Sequence, residues 1–277
     1  MKIICFLILI FTHQLVFSKS NDSPDLDFKK VQSQSWNEWK KELKKTLKKE
    51  NFNDSTLELL DGIDFNPKVI EYDRKQPEFK LTFQKYLQRN ITEKRKKEIN
   101  KIYKQNRELL LLLSEKFKIN PTILVSLWGI ETSFGKHVGK LDILRSLLSL
   151  AYDGRRQKFF MKEFKLALKI LDEGHISPKD FRGSWAGAFG QTQFMPSTFH
   201  KFAIDFDNDK KINLFKKSDA LASGANYLNQ VGWNNNLLWG EEVKITLTDR
   251  LKSLSKKKKY KTKKFWERIG ISFQNNY

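Results

Sequence analysis

Apolar side chains recur along this chain at the three- and four-residue spacing of helices, and almost nowhere in the alternation of strands. Trp36, Trp39 and Leu43 mark an amphipathic helix that begins near Ser35. Thr92 precedes a charged segment running into Leu109 to Leu113, which reads as one long helix, polar first and buried later. Asn120-Pro121 has the pattern of a helix cap followed by Pro at the first helical position. The helix it opens carries Ile123, Leu124, Leu127, Trp128 and Ile130 and ends near Gly135. Phe160, Phe164, Leu168 and Leu171 share one face of a further helix over residues 157 to 171, and 219 to 231 reads as another. Pro67 and Pro77 predict an extended connection over 64 to 79. Residues 182 to 196, rich in Gly and Ser, predict a structured loop, and Val243 to Leu247 is the best strand signal. There is no internal repeat. The fold class is mainly α, with few short strands.

At 277 residues and 39% hydrophobic, the chain suits one medium domain, or a core with a smaller lobe, rather than global disorder. It begins Met1-Lys2, runs apolar from Ile3 to Phe11, and reaches Ser18 before the polar Lys19-Ser20-Asn21-Asp22. That is the pattern of a secretory signal over 1 to 18, with a mature chain of 19 to 277. The alternative is a short membrane anchor, against which His13 and Gln14 interrupt the run. Cys5, the one cysteine, lies inside the apolar run and not after it, so it is misplaced for lipidation, and the mature chain needs no disulfide. A periplasmic protein that is not a lipoprotein is expected. The formal charge of +20 comes from lysine runs such as 94 to 97 and 256 to 259. It reads either as attraction to a polyanion or as a solvated lysine-rich surface. An exported protein rarely meets nucleic acid, so that partner is not expected.

Three constellations carry chemistry. Leu124, Leu127 and Glu131 fall at i, i+3 and i+7, which puts a carboxylate on an apolar stripe. Such a carboxylate needs partners or a raised pKa, and a raised pKa makes it a competent general acid near neutral pH. The alternative is a helix-end Glu that bends out to solvent. Gly183 to Pro196 contains three glycines, at 183, 187 and 190, that permit close backbone approach, and Ser184, Gln191 and Gln193 can hydrogen-bond sugar hydroxyls or acetamido groups. Asp205, Asp207, Asp209 and Asn213 supply oxygens at the spacing of an EF-hand start, but Lys210 stands where Gly is usual and Lys216 where Glu is usual. A solvated acidic turn is the alternative there. No nucleophile–base triad stands out, and His137, His175 and His200 lack metal-ligand spacing.

Several segments together resemble the lytic murein transglycosylase B family of soluble lytic transglycosylases. They are Asp73 to Phe79, Gly129-Ile130-Glu131-Thr132-Ser133-Phe134-Gly135, Arg155-Arg156 before Phe159-Phe160, the loop from Gly183 to Pro196, Asp205 to Leu214, and Ala225-Asn226-Tyr227-Leu228 to Gly232-Trp233. They stand in the family's order over roughly residues 65 to 245. The resemblance implies a lysozyme-like helical core, roughly 80 to 240, with smaller flanking lobes in a single catalytic domain. It implies non-hydrolytic cleavage of the β-1,4 bond between N-acetylmuramic acid and N-acetylglucosamine in peptidoglycan, leaving 1,6-anhydro ends. Glu131 falls at the catalytic position, acid first and base second. One carboxylate suffices when the nucleophile is the sugar's own 6-hydroxyl, whereas ordinary glycosidases use two.

By motif position, Tyr86, Ser184, Gln193 and Tyr227 are implied to line the sugar cleft, and Arg155 and Arg156 to meet the glycan or its acidic peptide. No cofactor is implied for the chemistry. A structural calcium ion is, held by Asp205, Asp207, Asp209 and Asp219 with the Lys211 backbone carbonyl. Glycan strands are the implied partner of a monomer, with cell-wall machinery proteins as further partners. Two departures stand out. Gln191 occupies a position where the family often has an aromatic, and the chain stops at Tyr277, short of a final cleft segment. A non-catalytic peptidoglycan-binding protein and a lysozyme-type hydrolase therefore stand as alternatives.

Overall fold

The computed structural model describes residues 35–75, 83–236, 240, 243, 245, 246, 248–256 and 261–273. The expected export signal, Pro77 to Phe79, and positions 244 and 247 of the expected strand lie outside them. Backbone contacts divide the chain into two compact units, one spanning 22–234 and the other containing 235–277.

In the larger unit, α1 (Trp36–Lys49) opens with a reciprocal cap: Ser35 Oγ accepts from the Glu38 amide, and the Glu38 carboxylate accepts from the Ser35 amide. Its buried face is Trp39, Leu43 and Leu47, the stripe expected from the spacing. After the short α2 (Asp54–Glu58) comes α3 (Pro67–Lys75), where an extended connection was predicted. Pro67 is no obstacle at a helix's first position, because its missing N–H would have no intrahelical partner there. Then follow α4 (Phe83–Asn90), α5 (Glu93–Gln105) and α6 (Arg107–Phe117). The single long helix predicted from Thr92 is thus two. Asn106 breaks it with φ −118° and ψ 20°, while its side-chain amide donates to Ile102 O at 2.8 Å and its side-chain oxygen accepts from Lys217. A capping side chain competes with the helix for backbone groups, and here it wins.

The centre of the unit is α7 (Pro121–Thr132), which packs against α5, α6 and α11 (Lys217–Gln230). Asn120 caps it by accepting from the Thr122 amide at 2.9 Å, as expected. Leu124, Val125, Leu127, Trp128, Gly129 and Thr132 are all buried, so the helix is enclosed on most sides. Gly129 is required: a Cβ there would lie 2.8 Å from the Phe134 ring. Beyond α7, α8 (Ile143–Asp153) and α9 (Gln157–Asp172) form the most extensive helix pair, and α9 carries the predicted Phe160, Phe164 and Leu168 into the core. The short α10 (Pro196–Phe202) packs on α9 and α11.

Among the described residues the one sheet has two strands, β1 (Leu141–Asp142) and β2 (Arg182–Gly183), paired antiparallel with Leu141 opposite Gly183. Strand structure therefore sits at the start of the predicted loop. The described positions 243, 245 and 246 of the expected strand are not in one. In the C-terminal unit lie α12 (Asp249–Lys256) and α13 (Lys263–Arg268), with Leu251 and Ile271 buried.

Candidate active site

Glu131 is the penultimate residue of α7. Three consecutive residues after the helix, Ser133, Phe134 and Gly135, have φ of 49°, 62° and 81°. This left-handed turn reverses the chain at once and fixes the last helical turn. Burial pushes the Glu131 carboxyl up from 4.5 to about 7. The carbonyl end of α7 acts in the same direction, since it carries partial negative charge. Among the described residues nothing hydrogen-bonds or ion-pairs with this carboxylate, and no second carboxylate shifts it. A carboxyl that half-ionises near neutral pH can give up a proton and take one back.

The scaffold under Glu131 comes from three directions. Arg95, on α5, donates to Gly129 O at 3.1 Å and to Ser133 Oγ at 3.2 Å, clamping the carbonyl end of α7. Its other nitrogen donates to the Asn90 side chain at 3.2 Å, and the Asn90 amide donates to Tyr86 O at 2.9 Å. Tyr86, on α4, is thereby brought beside Glu131, and its hydroxyl pKa is raised by burial and then by the Glu131 charge. On the third side, Thr132 Oγ1 donates to Gln191 O at 2.8 Å, and Trp128 Nε1 donates to Gln191 Oε1 at 2.9 Å. The Gln191 amide group in turn donates to Phe215 O at 2.6 Å. Gln191 thus joins α7 to the Phe215 backbone by hydrogen bonds. Sequence reasoning missed Arg95; with Arg or Lys at one position in five of this chain, no signal set it apart.

The remaining predicted cleft residues separate. Ser184 Oγ accepts from Ala188 N at 3.0 Å, and Gln193 Nε2 donates to Val138 O and Gly190 O, so both brace the 183–196 loop beside Thr132. Their positions are half-buried. Tyr227 is only 6% exposed, its ring edge-on to Phe202 at 4.9 Å. Arg155 and Arg156 close on Asp73, which is 1% exposed. Arg155 Nε donates to it at 2.6 Å, and Arg156 contacts it directly while its guanidinium lies 4.8 Å from the Phe160 ring centroid. Burial favours the neutral Asp73, but the two guanidinium groups outweigh it and hold the carboxyl below the ordinary range. The pair of arginines thus tie α3 to the turn between α8 and α9 by a buried ion cluster.

Residues 35–277 match the family described as the transglycosylase SLT domain. The chain belongs to that family. Membrane-bound lytic murein transglycosylase B of Escherichia coli (strain K12) is 38% identical over 118 residues, covering 42% of this chain and 33% of the relative. SltB3 from Pseudomonas aeruginosa, solved in complex with NAG-NAM-pentapeptide, superposes with a TM-score of 0.78 at 34% identity, covering 86% of this chain and 64% of SltB3. A second SltB3 structure, with NAG-anhNAM-pentapeptide, matches equally. The Escherichia coli lytic transglycosylase Slt35 in complex with calcium shares the fold, with a TM-score of 0.71 at 24% identity, covering 86% of this chain and 76% of Slt35. The chain therefore spans a third of the length of its curated relative and just under two thirds of SltB3. The mainly α, lysozyme-like fold expected from the resemblance is the fold of these family members.

In this transglycosylase SLT domain the acidic loop is only partly assembled for a metal. Carboxylate oxygens of Asp205, Asp207 and Asp209 lie within 4.8 Å of one another. Asp219 does not join them. It is fully buried and accepts from Phe206 N at 3.1 Å and Asn213 N at 2.8 Å, so backbone amides hold both its oxygens. Lys216 Nζ contacts Asp209 and stands 3.3 Å from Asp207. Lys216 thus pairs with two of the three carboxylates, while the Asp219 carboxyl is raised by burial and further by the charges of Asp207 and Asp205.

Proposed function

We propose that this protein cleaves the β-1,4 bond between N-acetylmuramic acid and N-acetylglucosamine in peptidoglycan, without water, to leave 1,6-anhydro-N-acetylmuramic ends. The state of Glu131 carries the reading. A lone, half-buried carboxyl with a pKa of about 7 is protonated often enough to donate to the leaving glycosidic oxygen. Once ionised, it takes the proton from the muramic 6-hydroxyl as that oxygen attacks the anomeric carbon. A hydrolase of the lysozyme kind needs a second carboxylate at working distance, and none influences Glu131 among the described residues.

Tyr86, adjacent to Glu131, is the cleft residue with the strongest support, as a wall against the sugar and a hydroxyl donor. Ser184 and Gln193 act from the braced loop. Arg155 and Arg156 keep Asp73 as counter-charge and offer their exposed sides to the acidic peptide stem. Tyr227 backs the cleft wall. The site of action is the periplasm, reached with the signal over 1 to 18; N-terminal sequencing of the periplasmic protein should begin near Lys19. Family relatives solved with NAG-NAM-pentapeptide and NAG-anhNAM-pentapeptide make glycan strands with attached peptide the substrate class. To test the role of Glu131, wild type and Glu131→Gln are incubated with purified sacculi. Release of soluble muropeptides should fall by at least ~10²-fold in the variant while binding to sacculi persists. Unchanged release would remove Glu131 from the mechanism.

A further inference from the structure

We propose that the Lys216 ammonium is the acidic loop's own cation, taking the side of the cluster that a divalent ion would take and making the loop independent of calcium. Three carboxylates whose oxygens converge within 4.8 Å repel one another and need positive charge nearby to stay ionised. The loop supplies it internally. Backbone amides of Asp209 and Lys210 donate to Asp205 at 3.2 and 2.8 Å, and the Lys211 amide donates to Asp209 at 2.9 Å. Lys216 completes the set by reaching both Asp207 and Asp209. Counted from Asp205, Lys216 is the twelfth residue, where an EF-hand loop closes on its ion with a bidentate Glu. At that twelfth position the group is an ammonium instead of a carboxylate, and the carboxylate of Asp219, fifteenth in the count, accepts two backbone amides.

The backbone makes this placement durable. Lys216 is the cap residue of α11, with φ −78° and ψ 134°. Its amide donates to Asn213 O at 2.9 Å, and its carbonyl accepts from Ala220 N at 3.0 Å. The side chain is thus launched from a fixed point back across the loop. Asp219, three residues on, pins the two sides of the loop through Phe206 and Asn213, so the fold of the segment does not wait for a metal. Lys210, with φ 69°, takes the left-handed place that Gly takes in an EF-hand, and Lys211 adds a second positive charge acting on Asp209. A divalent ion entering here must displace Lys216.

The test uses melting temperature and calorimetric calcium titration, neither of which depends on turnover. Wild type should melt at the same temperature in EDTA and in millimolar calcium and show no calcium binding in the micromolar range. Lys216→Gln should melt lower in EDTA, recover in calcium, and bind calcium at least ~10-fold more tightly than wild type, since ligand charge sets affinity in such loops. Lys216→Arg should behave as wild type. Micromolar calcium binding by wild type overturns the proposal. So does a Lys216→Gln protein that melts as wild type in EDTA and gains no calcium affinity. If Lys216→Gln folds in neither condition, the wild-type titration decides alone.

Discussion

Glu131→Gln should change the way folding stability depends on pH. The Glu131 carboxyl is raised from 4.5 to about 7 by burial. Below pH 4.5 both folded and unfolded chains carry the proton, and Glu131 costs nothing. Between 4.5 and 7 the unfolded chain ionises while the folded one keeps its proton, so stability falls as pH rises. Above about 7 both are ionised and the loss is complete. At ~1.36 kcal/mol per pH unit the full loss is about 3 kcal/mol. Gln does not titrate, so the gap between variant and wild type should widen by about that amount across the window. For a domain of this size 3 kcal/mol is roughly 6–12 °C in melting temperature. The amide has no partner among the described residues and costs something itself, but that cost is the same at every pH. Thermal melts of both proteins across the window read the gap. A gap constant with pH would refute the reasoning and return Glu131 to an ordinary solvated carboxylate.

Asp73→Asn should destabilise by ~1.5–3 kcal/mol, the scale of hydrogen bonds to charged groups, because Arg155 and Arg156 lose their counter-charge while solvent still reaches both; denaturant unfolding measures it. Because the Asp73 carboxyl is held below its ordinary value, the stability it contributes is present above that value and is lost as pH falls below it. Arg95→Ala should lower turnover by ~10²-fold, the scale of a misplacement of about 1 Å, with Arg95→Lys restoring only part because it cannot fork between Gly129, Ser133 and Asn90; rates of muropeptide release from sacculi check both. Gly135→Ala should cost more than ~1 kcal/mol, since φ is +81° and the new Cβ would lie 2.4 Å from Gln191 Oε1; a melt decides it.

Much of this was legible because the signals are local. The helix start near Ser35, the Asn120-Pro121 start and the Phe160, Phe164 and Leu168 face depend on neighbours within one or two turns, and each formed as the sequence predicts. Pro67 misled because proline both ends extended segments and starts helices, and only packing on α8 decides between them. The break at Asn106 depends on Lys217, 111 residues away, which no window sees. At the site, the apolar stripe with Glu131 left a buried carboxylate and a solvent-facing one as alternatives, and the groups that brace its helix end came from distant segments. Arg95 and Gln191 are the examples, and Asp73, a motif residue, pairs with Arg155 and Arg156 across 82 and 83 residues of chain. In the acidic loop, spacing suggested a metal, and the reach of Lys216 to Asp207 and Asp209 is a tertiary feature that spacing does not carry.

The most direct measurement is the digestion of sacculi by wild type in heavy-oxygen water, with products resolved by mass. A single acid/base carboxyl and an internal nucleophile predict muropeptides that end in 1,6-anhydro-N-acetylmuramic acid, lighter by one water than hydrolytic products and free of label, with none released by folded Glu131→Gln. Reducing ends that carry the heavy oxygen would mean that water is the nucleophile and would contradict the account.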